Sequence, residues 1–359
     1  MEYFKTLHQK SNYKKLILID SVYAHTSGGK VLLTVLINSI PRSDLNNFWF
    51  VFDSRFDKNY IKSINAGRIT ILKASELQRT KFYKKNRENF KSVFCFSNVP
   101  PPISITQRVV IYFQNDLLLS SKNSGLDLRA QLIQAIKKTY ISFLNKKKYS
   151  WAVQTSLMKE KLMNSLRIES DKIEVYPFFD ELNFSSKVYS KENSFLYVAG
   201  FGKHKNHKRL IVAFNQAANK SKAPITLKLT LPNDAFSSLT RHLTNTSPNL
   251  KLINLGELTK DQVLKSYQET RFLIYPSLKE SFGLPLIEAA QLGVIVIASK
   301  LPFVSQVIKP SFSFNPYSEI DIAKVVLKAV NLKNTPKTII KVQNKVNSLL
   351  NHICYDVQK

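Results

Sequence analysis

The chain has 359 residues, enough for two ordinary domains that each bury a core, and its 44% hydrophobic and 11% aromatic content excludes a disordered polymer. The formal net charge is +28, spread as 29 Lys/Arg against 14 Asp/Glu in residues 1–180 and 24 against 11 in residues 181–359, which excludes a basic tail on a neutral body. Two readings of that charge stay open: a surface suited to polyanions such as nucleotide diphosphates, nucleic acid or anionic headgroups, and a lysine-rich composition with no partner behind it.

In chain order, LILIDSVYA (Leu16 to Ala24) predicts a short buried strand. HTSGGKVLLTVLINSI follows, where Gly28-Gly29 leads into an apolar segment of helical length. Further apolar runs recur at Phe48 to Phe52, Ile69 to Leu72, Ser92 to Phe96, Val109 to Phe113, Trp151 to Thr155 and Lys172 to Pro177, several of them separated by room for helices. Runs without alternation point to strands buried on both faces, as in a parallel sheet covered by helices.

The pattern then repeats. FLYVAG (Phe195 to Gly200) is a strand ending in glycine, followed by the basic turn GKHKNHK and by RLIVAFNQAANK with helical periodicity. ITLKLTL, LKLINLG, RFLIYP and VIVIAS complete a second βα array ending at Ser299. The expected division is an N-terminal domain at 1–180, a polar linker at 181–194, a C-terminal domain at 195–335 and a C-terminal helical segment at 336–359, all of the α/β class with mostly parallel, doubly wound sheets.

The stretch YPSLKESFGLPLIEAAQLGVIVIAS (Tyr275 to Ser299) reads as strand end, loop, helix and next strand. It places Glu280 in a βα loop, at the carboxyl edge where open α/β sheets bind ligands, and Glu288 on a mostly apolar helix. An unpartnered ionised carboxylate is costly to bury, so Glu288 should face a basic group or a ligand hydroxyl. Gly283 permits close backbone approach, Pro285 suits a first helical turn, and the free N–H groups of that turn suit an anion. The other reading makes Glu280 an ordinary loop acid and Glu288 a helix acid at the solvent edge.

The motif ESFGLPLIE resembles the signature of family 4 glycosyltransferases. The resemblance extends to Phe195–Phe214, Ile274–Phe303, Val153–Leu162 and Thr26–Leu33. It implies the GT-B fold of two facing Rossmann-like domains, with the C-terminal helix crossing back to the N-terminal domain. The implied activity is retaining transfer of a sugar from a nucleotide-sugar donor to a glycan or lipid-linked acceptor, of the hexosyltransferase type, in bacterial surface polysaccharide synthesis. Carried over by position, Glu280 would bond hydroxyls of the donor sugar and Glu288 the ribose hydroxyls. Ser281, Phe282, Gly283 and Leu284 would line the sugar and diphosphate. Lys205 would neutralise the leaving diphosphate, with Lys203 beside it in place of an arginine that many members carry. Gly28 and Gly29 would meet the phosphates from the opposite side. His25, Gln114, Asn115, Gly256 and Glu257 are further candidates; Gln114 stands where a histidine is common, and Gln306 where a glutamate is.

No metal or cofactor is expected beyond the nucleotide-sugar co-substrate, because no clustered His/Cys spacing, Walker pattern or Gly-x-Ser-x-Gly appears. Lysine and a helix N-terminus can neutralise a leaving phosphate instead. The sequence between Arg129 and Trp151 combines helically spaced Leu132, Ile133, Ile136, Tyr140 and Phe143 with Lys137, Lys138 and Lys146 to Lys148. That describes either a helix resting on an anionic membrane surface or an ordinary packed helix with a solvated face. Only Cys95 and Cys354 are present, which make no disulfide framework. The N-terminal MEYFKTLHQKSNYKK lacks the apolar core of a signal peptide, and no uncharged apolar run reaches about 18 residues. A cytoplasmic protein, soluble or peripheral on the inner face of the cytoplasmic membrane, is therefore expected. The rival functions are a basic nucleic-acid-binding protein, which the charge alone allows, and an inactive GT-B scaffold; no recognition motif for nucleic acid is found, so nucleic acid is not an expected partner.

Overall fold

The computed structural model describes residues 15–354 apart from 26, 65–67, 120–127, 183–192, 242, 244, 333 and 335. Most of the expected linker thus lies outside the described residues. The first sheet contains β1 (Leu16–Ser21), β2 (Phe48–Asp53), β3 (Arg68–Leu72), β4 (Phe90–Cys95), β5 (Arg108–Tyr112), β6 (Ser150–Val153) and β7 (Ile173–Val175), in the order β3-β2-β1-β4-β5-β6-β7. Pairing is parallel from β3 through to β5, with Ile19 of β1 opposite Phe50 on one side and Phe94 on the other. Five of the six β1 residues are buried and FWFVFD of β2 leaves only Trp49 partly exposed. A strand covered on both faces has no polar side to show, which is why these runs lack alternation. The helices α1 (Ser27–Asn38) and α2 (Glu76–Asn86) follow β1 and β3, and α3 (Leu128–Leu144) lies between β5 and β6 in the chain.

The second sheet contains β8 (Ser194–Tyr197), β9 (Ile225–Leu229), β10 (Leu250–Asn254), β11 (Phe272–Tyr275), β12 (Ile295–Ser299) and β13 (Phe312–Phe314), in the order β10-β9-β8-β11-β12-β13. All its given pairings are parallel. At its centre Phe195 of β8 stacks on Phe272 of β11 with ring centroids 4.6 Å apart, and Phe214 meets Phe195 edge-on at 5.0 Å. Phe214 lies on α4 (His207–Lys220), and the acid motif leads into α5 (Leu284–Gln291). Both sheets reverse their winding after the third strand, which places a switch point between β1 and β4 and another between β8 and β11. Such switch points leave a crevice outside the carboxyl ends of the strands.

The chain divides into two compact units, 1–113 with 143–151 and 347–359, and 114–142 with 152–346. The last helix, α6 (Val346–Cys354), buries Leu349, Leu350 and Ile353, and from residue 347 it belongs to the first unit. There Ser92 Oγ donates to the Ile353 carbonyl (3.1 Å), and the Arg108 guanidinium lies 3.3 Å from His352 Nδ1. Burial and that cation hold the His352 imidazole down at about 4.

Candidate active site

The loops after β8 and β11 flank the second switch point, and buried side chains bind them together. Tyr197, the last residue of β8, donates its hydroxyl to the Lys205 carbonyl (2.8 Å) and sits 2.8 Å from Ser277 Oγ. The Leu278 amide donates to the His204 carbonyl (2.8 Å). Lys203–Lys205 form a single 3-10 turn that ends at Asn206, whose φ of 63° is left-handed, a conformation asparagine tolerates better than most residues. Asn206 Nδ2 donates to the carbonyls of Pro276 (3.2 Å) and Pro316 (2.8 Å), and Arg209 donates to its Oδ1 (2.8 Å). The turn is thus pinned on both sides, and Lys205 is aimed by the backbone it stands on.

That aim meets the acid motif. Lys205 Nζ donates to Glu280 Oε1 at 2.6 Å, joining residues 75 positions apart, with the side chains 18% and 13% exposed. Burial, with the Glu280 charge adding to it, pushes the Tyr197 and Tyr275 phenols beneath the pair well above their ordinary value. Below Glu280, Ser281 is partly buried and Phe282 is fully buried against Phe179, with ring centroids 6.4 Å apart. Gly283 has φ +84°, and a Cβ there would lie 3.0 Å from Leu286 Cδ1. Only glycine fits a left-handed residue at that spacing. Leu284 and Pro285 then open α5 with no acid in its first turn, where proline has no N–H and the Leu286 amide donates to the Gly283 carbonyl (3.0 Å).

Glu288 lies one turn into α5 and accepts a hydrogen bond on Oε2 from the Tyr267 hydroxyl (3.0 Å). Burial raises its carboxyl above the usual range, and the Tyr267 bond pulls the other way. Beside it, Lys260 pairs with Asp180. Gly256 follows β10 with φ +72° and open space where a Cβ would stand, and Glu257 is exposed. Lys203 is exposed in the turn before Lys205.

The remaining candidates stand elsewhere. Gln114 and Asn115 follow β5, where Asn115 Oδ1 accepts from the Leu117 amide (3.1 Å) and so caps its own turn. Gly28 and Gly29 do not precede α1 as the sequence suggested. They lie within its first turn, because the helix begins at Ser27. His25 Nδ1 is 3.2 Å from the Tyr23 carbonyl and 3.7 Å from Asp53 Oδ2. Burial would raise Asp53, yet two hydrogen bonds from Arg55 (2.8 and 2.7 Å) hold it at about 2.

Sequence reasoning passed over four residues. Tyr267, fully buried, orients Glu288. Asp116, 4% exposed, pairs with Lys161 at 2.5 Å, and its charge is among those acting on His204; as the first acid after VVIYF it carried a positional signal. His207 opens α4, 3% exposed, with neither ring nitrogen hydrogen-bonded. Burial, then the Lys205 charge, hold it neutral at about 4. Arg79 is 2% exposed in a helix that reads as solvated. Among the described residues, no group of three or more His, Cys, Asp or Glu could hold a metal ion.

Residues 178–346, which contain every element of this site, match the family described as Glycosyl transferases group 1. Over 81 residues, 22% of the chain, identity to the serotype-specific mannosyltransferase WbdA of Escherichia coli is 36%; the matched stretch spans 10% of that relative's length. Over 258 residues, 67% of the chain and 71% of the relative, identity to the O-antigen chain mannosyltransferase RfbU of Salmonella typhimurium is 27%. Among solved structures, Anabaena HepE in complex with UDP and glucose superposes with a TM-score of 0.68, covering 89% of this chain and 90% of that one at 12% identity. At that identity the likeness carries the fold alone, and the fold is GT-B.

Proposed function

We propose that this protein is a retaining glycosyltransferase that moves a hexose from a nucleotide-sugar donor to a glycan or lipid-linked acceptor in surface polysaccharide synthesis. The Lys205–Glu280 pair at 2.6 Å carries the proposal. It sets a compact cation and a carboxylate side by side at a sheet's switch point, next to a helix N-terminus whose dipole favours an anion. A diphosphate needs the cation and the helix, whereas sugar hydroxyls need the carboxylate. The similarity to a serotype-specific mannosyltransferase and to an O-antigen chain mannosyltransferase supports the substrate class.

In this reading Glu288, held by Tyr267, accepts from the ribose hydroxyls, and Glu280 from hydroxyls of the sugar. Lys203 and the backbone of Ser281, Phe282, Gly283 and Leu284 flank the diphosphate. As the bond from the anomeric carbon to phosphate oxygen breaks, its electron pair goes to that oxygen. Lys205 Nζ and the α5 N-terminus stabilise the developing charge, so no metal is needed for this step. The acceptor hydroxyl attacks from the same face, passes its proton to the departing phosphate oxygen, and the anomeric configuration is retained.

The test is thermal unfolding against UDP-, GDP-, ADP- and CMP-sugars, with Glu288→Ala and Lys205→Ala in parallel. A ligand at a hundred times its dissociation constant adds about 2.7 kcal/mol of stability. Stabilisation by one nucleotide class, lost in Glu288→Ala, is the expected result, and proton NMR of the product then reads the anomeric configuration. Binding without turnover would leave an inactive scaffold. No stabilisation, together with salt-steep oligonucleotide binding, would give the protein to nucleic acid.

A further inference from the structure

The loop that aims Lys205 also carries an aromatic ring in contact with solvent. Phe201, 58% exposed, stands between Gly200 and Gly202 in the loop after β8. Single exposed apolar side chains are ordinary on protein surfaces, but this one is backed by two further rings. Its ring lies 6.5 Å from the His207 imidazole, tilted by 35°, and His207 lies 4.8 Å from the Tyr197 ring. The Tyr197 hydroxyl in turn donates to the Lys205 carbonyl. A column of rings therefore runs from the end of β8 out to the surface, fixed to the same backbone as the cation.

His207 serves that column as a flat, neutral ring. It is 3% exposed, neither ring nitrogen is hydrogen-bonded, and burial opposes its protonation. Beside Phe201 there is room: at Gly200 nothing lies within 4 Å of the point where a Cβ would stand. The loop itself is held by the side chain of Asn206 and by the Leu278 amide, so a ligand meets a surface that needs no ordering. Four residues on from Phe201, Lys205 Nζ meets the Glu280 carboxylate.

We infer that Phe201 is the stacking platform for a pyranose ring at this site, taking the C–H face of the sugar while Glu280 takes hydroxyls. A hexose presents hydroxyls around its rim and polarised C–H bonds on its faces, and the negative face of an aromatic ring attracts the latter. A carboxylate alone reads the rim. A ring beside it reads the face, and an axial hydroxyl interrupts that face, so the platform selects between hexoses that differ in the direction of one hydroxyl. A nucleobase would stack as well, but it is joined to the ribose, which belongs to Glu288, whereas Phe201 stands in the loop that meets Glu280. The inference rests on the transferase reading. The hexose of the donor and the terminal sugar of the acceptor share this chemistry, and the experiment separates them.

The experiment is calorimetric titration of the full chain with the nucleotide-sugar that stabilises it and with the matching nucleoside diphosphate. Saturation-transfer NMR with methyl α-mannopyranoside, in the presence of that diphosphate, runs alongside. In Phe201→Ser the diphosphate should bind as it does to the wild type. The sugar ligand that uses the platform should weaken about three- to tenfold: the nucleotide-sugar if the ring serves the donor, the methyl glycoside if it serves the acceptor. Phe201→Tyr should keep that binding, and Phe201→Leu, equally apolar but without a ring face, should lose it. Because the ring is exposed, the thermal midpoint without ligand should stay in place in each variant. Wild-type binding of both sugar ligands by Phe201→Ser would overturn the inference. So would a diphosphate that weakens as much as the nucleotide-sugar, which would give the ring to the nucleobase or to the shape of the loop. A wild type that binds no nucleotide would instead sink the transferase reading, and this inference with it.

Discussion

The carboxyl edges of the two sheets both carry buried charge, but they treat it differently. At the end of β1, Asp20 and Arg79 are each 2% exposed and bonded to each other. Arg79 donates to Asp20 Oδ2 (3.0 and 2.7 Å), to Glu76 and to the carbonyls of Val99 and Pro100, and the Tyr83 hydroxyl donates to the same Asp20 oxygen (2.8 Å). The network extends through Glu76 to the Tyr23 hydroxyl at 2.5 Å, and Tyr23 holds a left-handed φ of 89°. Beyond β8 and β11, Lys205 and Glu280 form one short bond and remain partly open to solvent. A closed network fixes a loop against strain, whereas an open pair can be parted by a ligand that offers each member a better partner.

The largest effect should come from breaking the closed side. Arg79→Ala leaves the buried Asp20 carboxyl without its cation, at a cost of about 3–5 kcal/mol in urea unfolding. Lys205→Ala should invert that pattern: turnover falls about 10²–10³-fold while stability changes by no more than about 1–2 kcal/mol. Initial rates and denaturation midpoints on the same samples separate the two. If Lys205→Ala unfolded the protein as Arg79→Ala does, the second pair would be structural too.

The two sides also differ in how far they can be read from sequence. The strands were legible because burial on both faces writes them as unbroken apolar runs, and LKESFGLPLIEAA was legible because glycine, proline and two acids break such a run. Lys205 lies among Lys203, His204, His207, Lys208 and Arg209, so position in a motif, not chemistry, distinguished it. The closed network left no trace. Arg79 sits in ELQRTKFYKKN, a segment whose composition predicts a solvated helix, and its partner lies 59 positions away. Tyr267 was equally silent, since a tyrosine in KDQVLKSYQ gives no sign that it reaches a carboxylate 21 residues on. β13 was missed because FSF, three residues at the sheet edge, is too short to show a pattern.

An intermediate effect tests how the open side is held in shape. Gly283→Ala forces a left-handed alanine whose Cβ meets Leu286 Cδ1 at 3.0 Å, so stability should fall by about 1–2 kcal/mol. Donor affinity should fall with it, because the backbone from Ser281 to Leu284 must shift. Gly256→Ala is the control: its φ is also positive, but its added methyl meets nothing within 4 Å. Calorimetric titration of donor into both variants distinguishes a loop that shapes the site from backbone strain in general.

The smallest expected effect sharpens the contrast most, because it moves one proton. Burial holds the Glu288 carboxyl above its ordinary 4.5, and the Tyr267 hydroxyl, by donating to the carboxylate, opposes that rise. A folded-state value above the unfolded one means the native protein holds this proton more tightly. The stability from this group is therefore complete below the unfolded value and is lost as pH climbs through the folded one. Donor binding has the opposite sign, since ribose hydroxyls donate to the ionised form, and affinity should fall as pH drops through the raised value. Tyr267→Phe removes the bond that favours the carboxylate, so the acid midpoint of donor affinity should move to higher pH. Affinity at neutral pH should weaken by about fivefold, roughly 1 kcal/mol. Glu288→Gln should flatten the acid limb altogether. A midpoint that stays in place in Tyr267→Phe would mean that the phenol supports Glu288 by packing alone, and that the open side, unlike the closed one, is held by shape and not by charge.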